Sequence, residues 1–273
     1  MANCFPPVTQ VLLSPGHLPR RLEALGWSHA LRVRGTLSDG PAIAIVGARA
    51  ATQRGMDRAH ALARHLAATG THVVSGGALG IDGAAHRGAL AAGRQGAGTT
   101  VVLGSGLSVP YPERHAPMFL EVLAAGGALV SMLDDDVAPR RGTFLARNPL
   151  ISALADCVIV VEAETRSGSL ATARAARKQG RLVAAWPGSR GCDRLLAAGA
   201  AIVEGVTDAE RLLAGTPRRP APPVVDAVAQ RILDAVAAGA VGVDAICART
   251  GLAVREVLRA LPSIEGSLPA RKS

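Results

Sequence analysis

Residues 42–88 read AIAIVGARAATQRGMDRAHALARHLAATGTHVVSGGALGIDGAAHRG, and the order of signals within them decides the fold. Ala42–Val46 is a short apolar run that ends at Gly47. Thr52–Ala68 then carries apolar residues at helical spacing, and Gly70 supplies the stop. His72–Ser75 is a second short apolar run, followed by Gly76-Gly77 and a helical pattern over Asp82–Ala92. Short strands with no polar face, separated by helices, predict a mainly parallel sheet covered on both sides.

The same alternation extends outward from this core. Strands are expected at Thr99–Leu103, Ala128–Met132, Cys157–Val161, Leu182–Ala185 and Ala201–Val203. Helices are expected at Pro117–Ala125, Phe144–Ala155 and Ser169–Gln179, with a short one near Asp193–Ala198. Residues 41–214 therefore read as one doubly wound α/β domain. Residues 1–40 carry apolar positions and turns but no clear motif, and read as a segment leading into the sheet. The stretch 215–223 (GTPRRPAPP) reads as an extended linker rich in proline and arginine. Beyond it, three short helical patterns in 224–273, with Gly251 at a tight turn, outline a small winged-helix-like module.

Composition narrows the function. The chain has 273 residues and a formal net charge of +9, carried almost wholly by arginine, since Lys178 and Lys272 are the only lysines. A GC-rich genome would also enrich arginine, but the excess still favours polyanion partners, nucleic acid above all. Six aromatic rings (Phe5, Trp27, Tyr111, Phe119, Phe144 and Trp186) are too few to tile a stacking surface. Cys4, Cys157, Cys192 and Cys247 lie too far apart for a metal knuckle or a disulfide framework, so no metal site is implied. No apolar stretch reaches the ~18 residues of a membrane span, and the N-terminus has no basic-then-apolar signal pattern. A cytoplasmic protein without membrane contact is expected.

In an open parallel sheet, ligands bind beyond the carboxyl ends of the strands. Several of those ends here carry glycine, small polar residues or arginine. The first has Gly47 and Arg49; the second has Ser75, Gly76, Gly77 and Gly80 opening a helix; the fifth has Arg166, Ser167, Gly168 and Ser169 opening another. Glycine before a helix lets amides approach an anion, the helix N-terminus adds positive partial charge, and arginine supplies forked donors. Together they predict a phosphate cradle.

A dinucleotide site does not fit. The first turn lacks the G-x-G-x-x-G pattern, and the second strand ends in Ser75 and not in a ribose-binding carboxylate. No cofactor is implied. Phe144, Arg147 and Asn148 admit two readings: a core staple beside a solvated charge, or a stacking ring beside donors for phosphate or base edges. Asp82 and His86, four apart, read as a structural pair in which Asp82 caps the first turn and orients His86. Glu162 and Glu164 read as structural.

Six segments carry a specific resemblance: IVGARAATQRG (45–55), VVSGGALGIDGAAHRGALAAG (73–93), VVLGSGLSVPYPERH (101–115), FLARNPLISALADCVIVVEAETRSGSLATARAARKQGR (144–181), WPGS (186–189) and GCDRLLAAGA (191–200). In order and spacing they resemble the DNA-processing DprA family, also called Smf, over about 160 residues. The resemblance implies an extended Rossmann-like domain, preceded here by a shortened or vestigial helical domain, with a winged-helix-like tail. It implies a single-stranded DNA-binding protein, and not an enzyme, that protects incoming DNA and loads the recombinase RecA in natural transformation. A homodimer is implied as well. The family's DNA pocket maps to Arg49, to the loop Ser75–Gly80, to Phe144, Arg147 and Asn148, and to Ser167, Gly168 and Ser169.

Three positions depart from the family pattern: Ala48 for serine, Pro149 for a second arginine, and Gly77 for leucine. Weaker DNA binding, more dependent on Arg49 and Arg147, is the expected consequence. A nucleotide-processing enzyme of the related phosphoribohydrolase group is the competing reading. Those enzymes carry P-G-G-x-G-T-x-x-E, whereas Ser167–Arg174 offers Thr172 and Arg174 but no carboxylate. A transcription factor acting through 224–273 is a third.

Overall fold

The computed structural model describes residues 10–93, 95–220 and 227–264. Two compact units emerge, Met1–Arg219 and Pro220–Ser273. The first begins with β1 (Gln10–Leu13), α1 (Arg20–Glu23), β2 (Leu31–Gly35), β3 (Ala42–Val46), α2 (Gln53–Ala68), β4 (His72–Ser75) and α3 (Ile81–Leu90). It continues with β5 (Thr99–Val102), a single 3-10 turn (Glu113–His115), α4 (Ala116–Ala124), β6 (Ala128–Ser131), α5 (Arg141–Ala146) and α6 (Asn148–Ala153). The last elements are β7 (Cys157–Val160), α7 (Ser169–Lys178), β8 (Leu182–Ala185), α8 (Arg190–Ala197), β9 (Ala201–Ile202) and α9 (Val206–Leu213).

The nine strands form one sheet in the order β1-β2-β6-β5-β4-β3-β7-β8-β9. The seven strands from β6 to β9 run parallel, as their apolar faces predict. Residues 10–35, where the sequence shows no motif, extend the sheet at one edge: β2 pairs antiparallel with β6, and β1 antiparallel with β2. The period-two signal for β2 lies in Leu31-Arg32-Val33, whose outer two side chains are buried. The only helix described in this segment is the four-residue α1.

Alternation within β3 divides the core. Ala42, Ala44 and Val46 face Leu150, Leu154, Leu170 and Ala173 of the α6–α7 layer. Ile43 and Ile45 face Leu62, Leu66, Ile81 and Leu212 from α2, α3 and α9. Each fully buried aliphatic side chain contributes on the order of 1.5–3 kcal/mol. The small alanines let α6 and α7 approach the sheet on the side where the site lies.

One predicted element divides in two. The helix expected over 144–155 is split into α5 and α6 at Arg147, because Pro149 stands in the first turn of α6. Proline has no N–H to continue the ladder from α5, yet its fixed φ suits a helix start. The break turns Arg147 inward.

In the second unit, α10 (Ala227–Ala237), α11 (Val243–Thr250) and α12 (Val254–Ile264) bury Ile232, Ile246, Leu252 and Val257 among themselves. Gly251 ends α11 at φ +69°, a conformation that favours glycine. Residues 221–223 of the expected linker and 224–226 and 265–273 of the expected tail module lie outside the described residues, as do 1–9. No helix of the described residues is long and apolar enough to cross a membrane.

Candidate nucleic-acid interface

From β3 the chain steps outward through β4, β5 and β6, then crosses back to place β7 on the other side of β3. At such a reversal the loops leaving the two strands diverge, and a crevice opens beyond their carboxyl ends. Here it is a cleft of about 860 Å³. Gly47–Arg49 after β3, Glu164–Ser169 after β7 and the segment around α5 form its walls. Its lining includes Arg49, Arg140, Arg141, Arg147, Arg166 and Arg174, against Asp82 and Glu164. Six guanidinium groups against two carboxylates make the field of the cleft positive.

The sequence-derived site residues separate into two sets. Gly47, Arg49, Phe144, Arg147, Asn148, Arg166, Ser167, Gly168 and Ser169 all line the cleft. Ser167, Gly168 and Ser169 form the start of the ten-residue α7, whose positive dipole end is thereby presented to the cleft. The Ser167 and Ser169 hydroxyls are 2.7 Å apart, and the Asn148 side-chain amide donates to the Gly168 carbonyl at 3.2 Å, which ties α6 to this loop.

In the loop Ser75–Gly80, residues 75–77 are buried and Ala78 reaches the cleft. The Ser75 hydroxyl is fully buried and donates to the Ile45 carbonyl at 2.6 Å, inside the sheet. Gly77 is packed under Val101 and Phe119, and its carbonyl accepts from His115 Nδ1 at 2.9 Å. Gly80, at φ +75°, leaves no room for a side chain against the Ala48 and Arg49 carbonyls. In this loop the Gly76 amide is engaged by the buried Asp82 carboxyl, to which it donates at 3.1 Å, and the Ala78 and Gly47 amides lie near enough to favour the charged form. The start of α3 thus carries the chain's own Asp82 carboxyl, whereas among the described residues no side-chain carboxylate accepts from the amides at the start of α7.

Arg147 is likewise internal, at 5% exposure. Its Nη1 donates to the Gly76 carbonyl at 2.6 Å and to the Val102 carbonyl. Burial lowers its pKa to about 10, with the Asp82 charge acting in the other direction. Burial pushes the Asp82 carboxyl up, opposed by Arg147 and the three amides. Arg147 therefore holds the cleft floor together and contributes its charge from beneath.

The expected Asp82–His86 pair does not form. Asp82 turns to the loops, while one turn further along α3 His86 Nδ1 meets Thr99 Oγ1 at 2.8 Å. Burial, with His115 and Arg147 nearby, drives the His86 pKa to about 3, so the ring is neutral. Glu162 takes the structural role read from the sequence, accepting from the Thr52 amide (3.1 Å) and hydroxyl (2.7 Å) at the start of α2.

At the mouth of the cleft, the Arg49 guanidinium lies over the Phe144 ring, 4.8 Å from its centroid. The exposed Tyr111 ring sits 5.5 Å from Phe144, tilted by 48°. Phe144 fits there because Gly104, beneath it, has no side chain to collide with the ring. Tyr111 has no place in the sequence-derived set, nor have Arg140, Arg141 and Arg174. The scarcity of aromatic residues was the available signal for Tyr111, and the arginine excess for the others. Among the described residues, no group of three histidine, cysteine or acidic side chains could hold a metal ion.

The family model for DNA recombination-mediator protein A matches residues 17–215, and that for the DprA winged helix domain matches 216–265. A Mycobacterium tuberculosis protein described as a DNA processing protein DprA is 40% identical over 266 residues, 92% of this chain and 66% of its own length. Two solved structures superpose with a TM-score of 0.67. The Helicobacter pylori DNA processing protein A, studied for its single-stranded DNA binding mode, is 30% identical and covers 78% of this chain and 99% of its own. The Streptococcus pneumoniae DprA is 32% identical, covering 75% and 74% respectively. The chain thus spans slightly less than two thirds of the mycobacterial relative.

Proposed function

This chain belongs to the DprA (Smf) family, and from that premise we propose that its switch-point cleft binds single-stranded DNA. The observation that carries this reading is the set of six arginines against two carboxylates around one cleft, with the start of α7 in its wall. Arg49, Arg140, Arg141, Arg166 and Arg174 grip phosphates, α7 receives one of them at Gly168 and Ser169, and Phe144 offers a stacking surface. The single-stranded DNA binding mode of the Helicobacter relative supports the choice of ligand.

On this reading the protein is a mediator without catalytic turnover. It protects an incoming single strand in the cytoplasm and loads RecA recombinase onto it, in transformation and in recombination, as a homodimer and without a cofactor. Arginine forks that hold phosphate through charge, with little contact to base edges, suit a protein that must pass on any sequence.

Anisotropy titrations of the full chain with oligo-dT and with duplex DNA, across a series of salt concentrations, test the reading. Single-strand affinity falls with salt, by about 0.7 in log K per unit of log salt for each phosphate contacted, and exceeds duplex affinity. Binding that is indifferent to salt, or stronger for duplex, overturns it.

A further inference from the structure

The cleft does not account for all of the arginine. At the amino ends of the parallel strands, beside the starts of β8 and β9, lies a recess of about 150 Å³. Arg177, Arg181 and Arg219 line it together with Leu182, Ala201 and Pro217, and its described lining residues include no carboxylate and no aromatic ring. Helix α7 joins this recess to the cleft. Its start stands in the cleft wall, its ten residues extend about 15 Å, and its sequence SLATARAARK holds no acidic residue. Arg174 lines the cleft and Arg177 lines the recess, three positions apart on one face of the helix.

The three guanidinium groups are set in place by the backbone around them. Arg177 Nη2 donates to the Ala198 carbonyl at 3.0 Å, at the end of α8. Arg219 follows Arg218, whose carbonyl accepts from the Ile202 amide of β9 at 2.7 Å. Arg181 Nε is buried and has no hydrogen-bond partner among the described residues. Asp156, one residue before the Cys157–Leu182 pair of β7 and β8, is occupied by Arg21 at 3.5 Å and by the Ala42 amide at 2.8 Å.

We propose that this recess receives the terminal phosphate of a strand held in the cleft, so that the protein recognises phosphorylated strand ends. The inference rests on the cleft being the single-strand site. Three positive groups without a carboxylate suit a dianion, and a phosphomonoester at a strand end approaches two charges at neutral pH, where an internal phosphodiester carries one. The buried Arg181 Nε–H is a donor whose desolvation is offset only when an acceptor arrives. The recess is smaller than the roughly 300 Å³ at which small-molecule pockets begin. It admits a phosphate and no nucleotide beyond it, so a strand that reaches it ends there. The basic face of α7 supplies the path, from Arg174 to Arg177.

Anisotropy titrations test this with short oligo-dT strands that carry a 5′-phosphate, a 3′-phosphate or hydroxyls at both ends, for the full chain and for Arg219→Ala and Arg177→Gln. The wild-type protein is expected to prefer one of the two phosphorylated strands by about tenfold, as for one charge-assisted contact. Both variants lose that preference and bind the hydroxyl-ended strand as the wild type does. Arg219 is exposed and outside any helix, so its variant reads the site even where loss of the Arg177 contact loosens α8, which thermal melts report. Equal affinity for all three strands, an equal gain from either end phosphate, or a preference that Arg219→Ala keeps overturns the end site and leaves the cleft reading intact. An acidic peptide that binds wild type and not Arg219→Ala, with phosphorylated ends making no difference, overturns it in favour of a protein partner. Absence of salt-dependent binding of every strand overturns the cleft reading and the end site with it.

Discussion

The guanidinium of Arg49 stacks on the ring of Phe144 at 4.8 Å and so joins the loop after β3 to helix α5 across the mouth of the cleft. Such a contact at an exposed site contributes about 0.5–1 kcal/mol. That is enough to pre-orient the arginine and too little to hold it from a phosphate, whose charge-assisted bonds are stronger. Arg49→Ala should therefore weaken oligo-dT binding by roughly 1.5–3 kcal/mol, with the melting temperature unchanged. Arg49→Lys should recover only part of the loss, since an ammonium neither stacks flat nor forks. A titration of the alanine variant that matches the wild type would remove Arg49 from the interface.

Arg147 should respond differently, although the sequence places it in the same group. Its removal leaves the Gly76 and Val102 carbonyls without their donor and Asp82 without a nearby positive charge. Arg147→Ala is expected to destabilise the fold by about 2–4 kcal/mol, read from the urea midpoint, with weaker DNA binding as a secondary effect. A variant that melts like the wild type would contradict the buried pairing.

Two glycines of the site offer a matched comparison. Gly80 lies at φ +75° against the Ala48 and Arg49 carbonyls, so Gly80→Ala should cost well over 1 kcal/mol of stability. Gly168 lies at φ −62° with open space where a methyl group would project. Gly168→Ala should keep the melting temperature and weaken oligo-dT several-fold, because the added carbon stands where a phosphate approaches the start of α7. Calorimetry and anisotropy on the pair separate the two roles.

Stability should fall on acidification in a defined window. His86 is held neutral with a pKa of about 3, below its ordinary 6.5, and burial also lowers His72 and His115. Below pH 6.5 the unfolded chain binds protons that the folded chain refuses. The stability present above 6.5 is therefore lost progressively toward pH 3, at about 1.4 kcal/mol per pH unit for a single such group. Urea unfolding at several pH values reads the slope; stability that rises as pH falls from 6.5 would refute it.

The covered parallel sheet was legible in the chain because its signals are local. The alternating AIAIV of β3, the glycines that stop each helix and the helical spacing of 52–68 are all visible within one window of sequence. Part of the cleft lining was legible for the same reason, at Arg49, at Arg166 and at Ser167–Ser169. The β1–β2 extension was harder to see, because β2 interleaves arginines with its apolar residues and β1 leaves Val11 and Leu12 exposed, so neither is a buried apolar run like the others.

What only the tertiary structure decided is which polar groups face the cleft and which face each other. Arg147 finds the Gly76 carbonyl 71 residues away, and Asp82 claims the Gly76 amide. Tyr111 reaches Phe144 across another long stretch of chain. Periodicity and turn chemistry are properties of neighbouring residues, so they are written in the order of the letters. The pairing of a buried charge is settled by desolvation, which depends on everything packed around it and has no local signature.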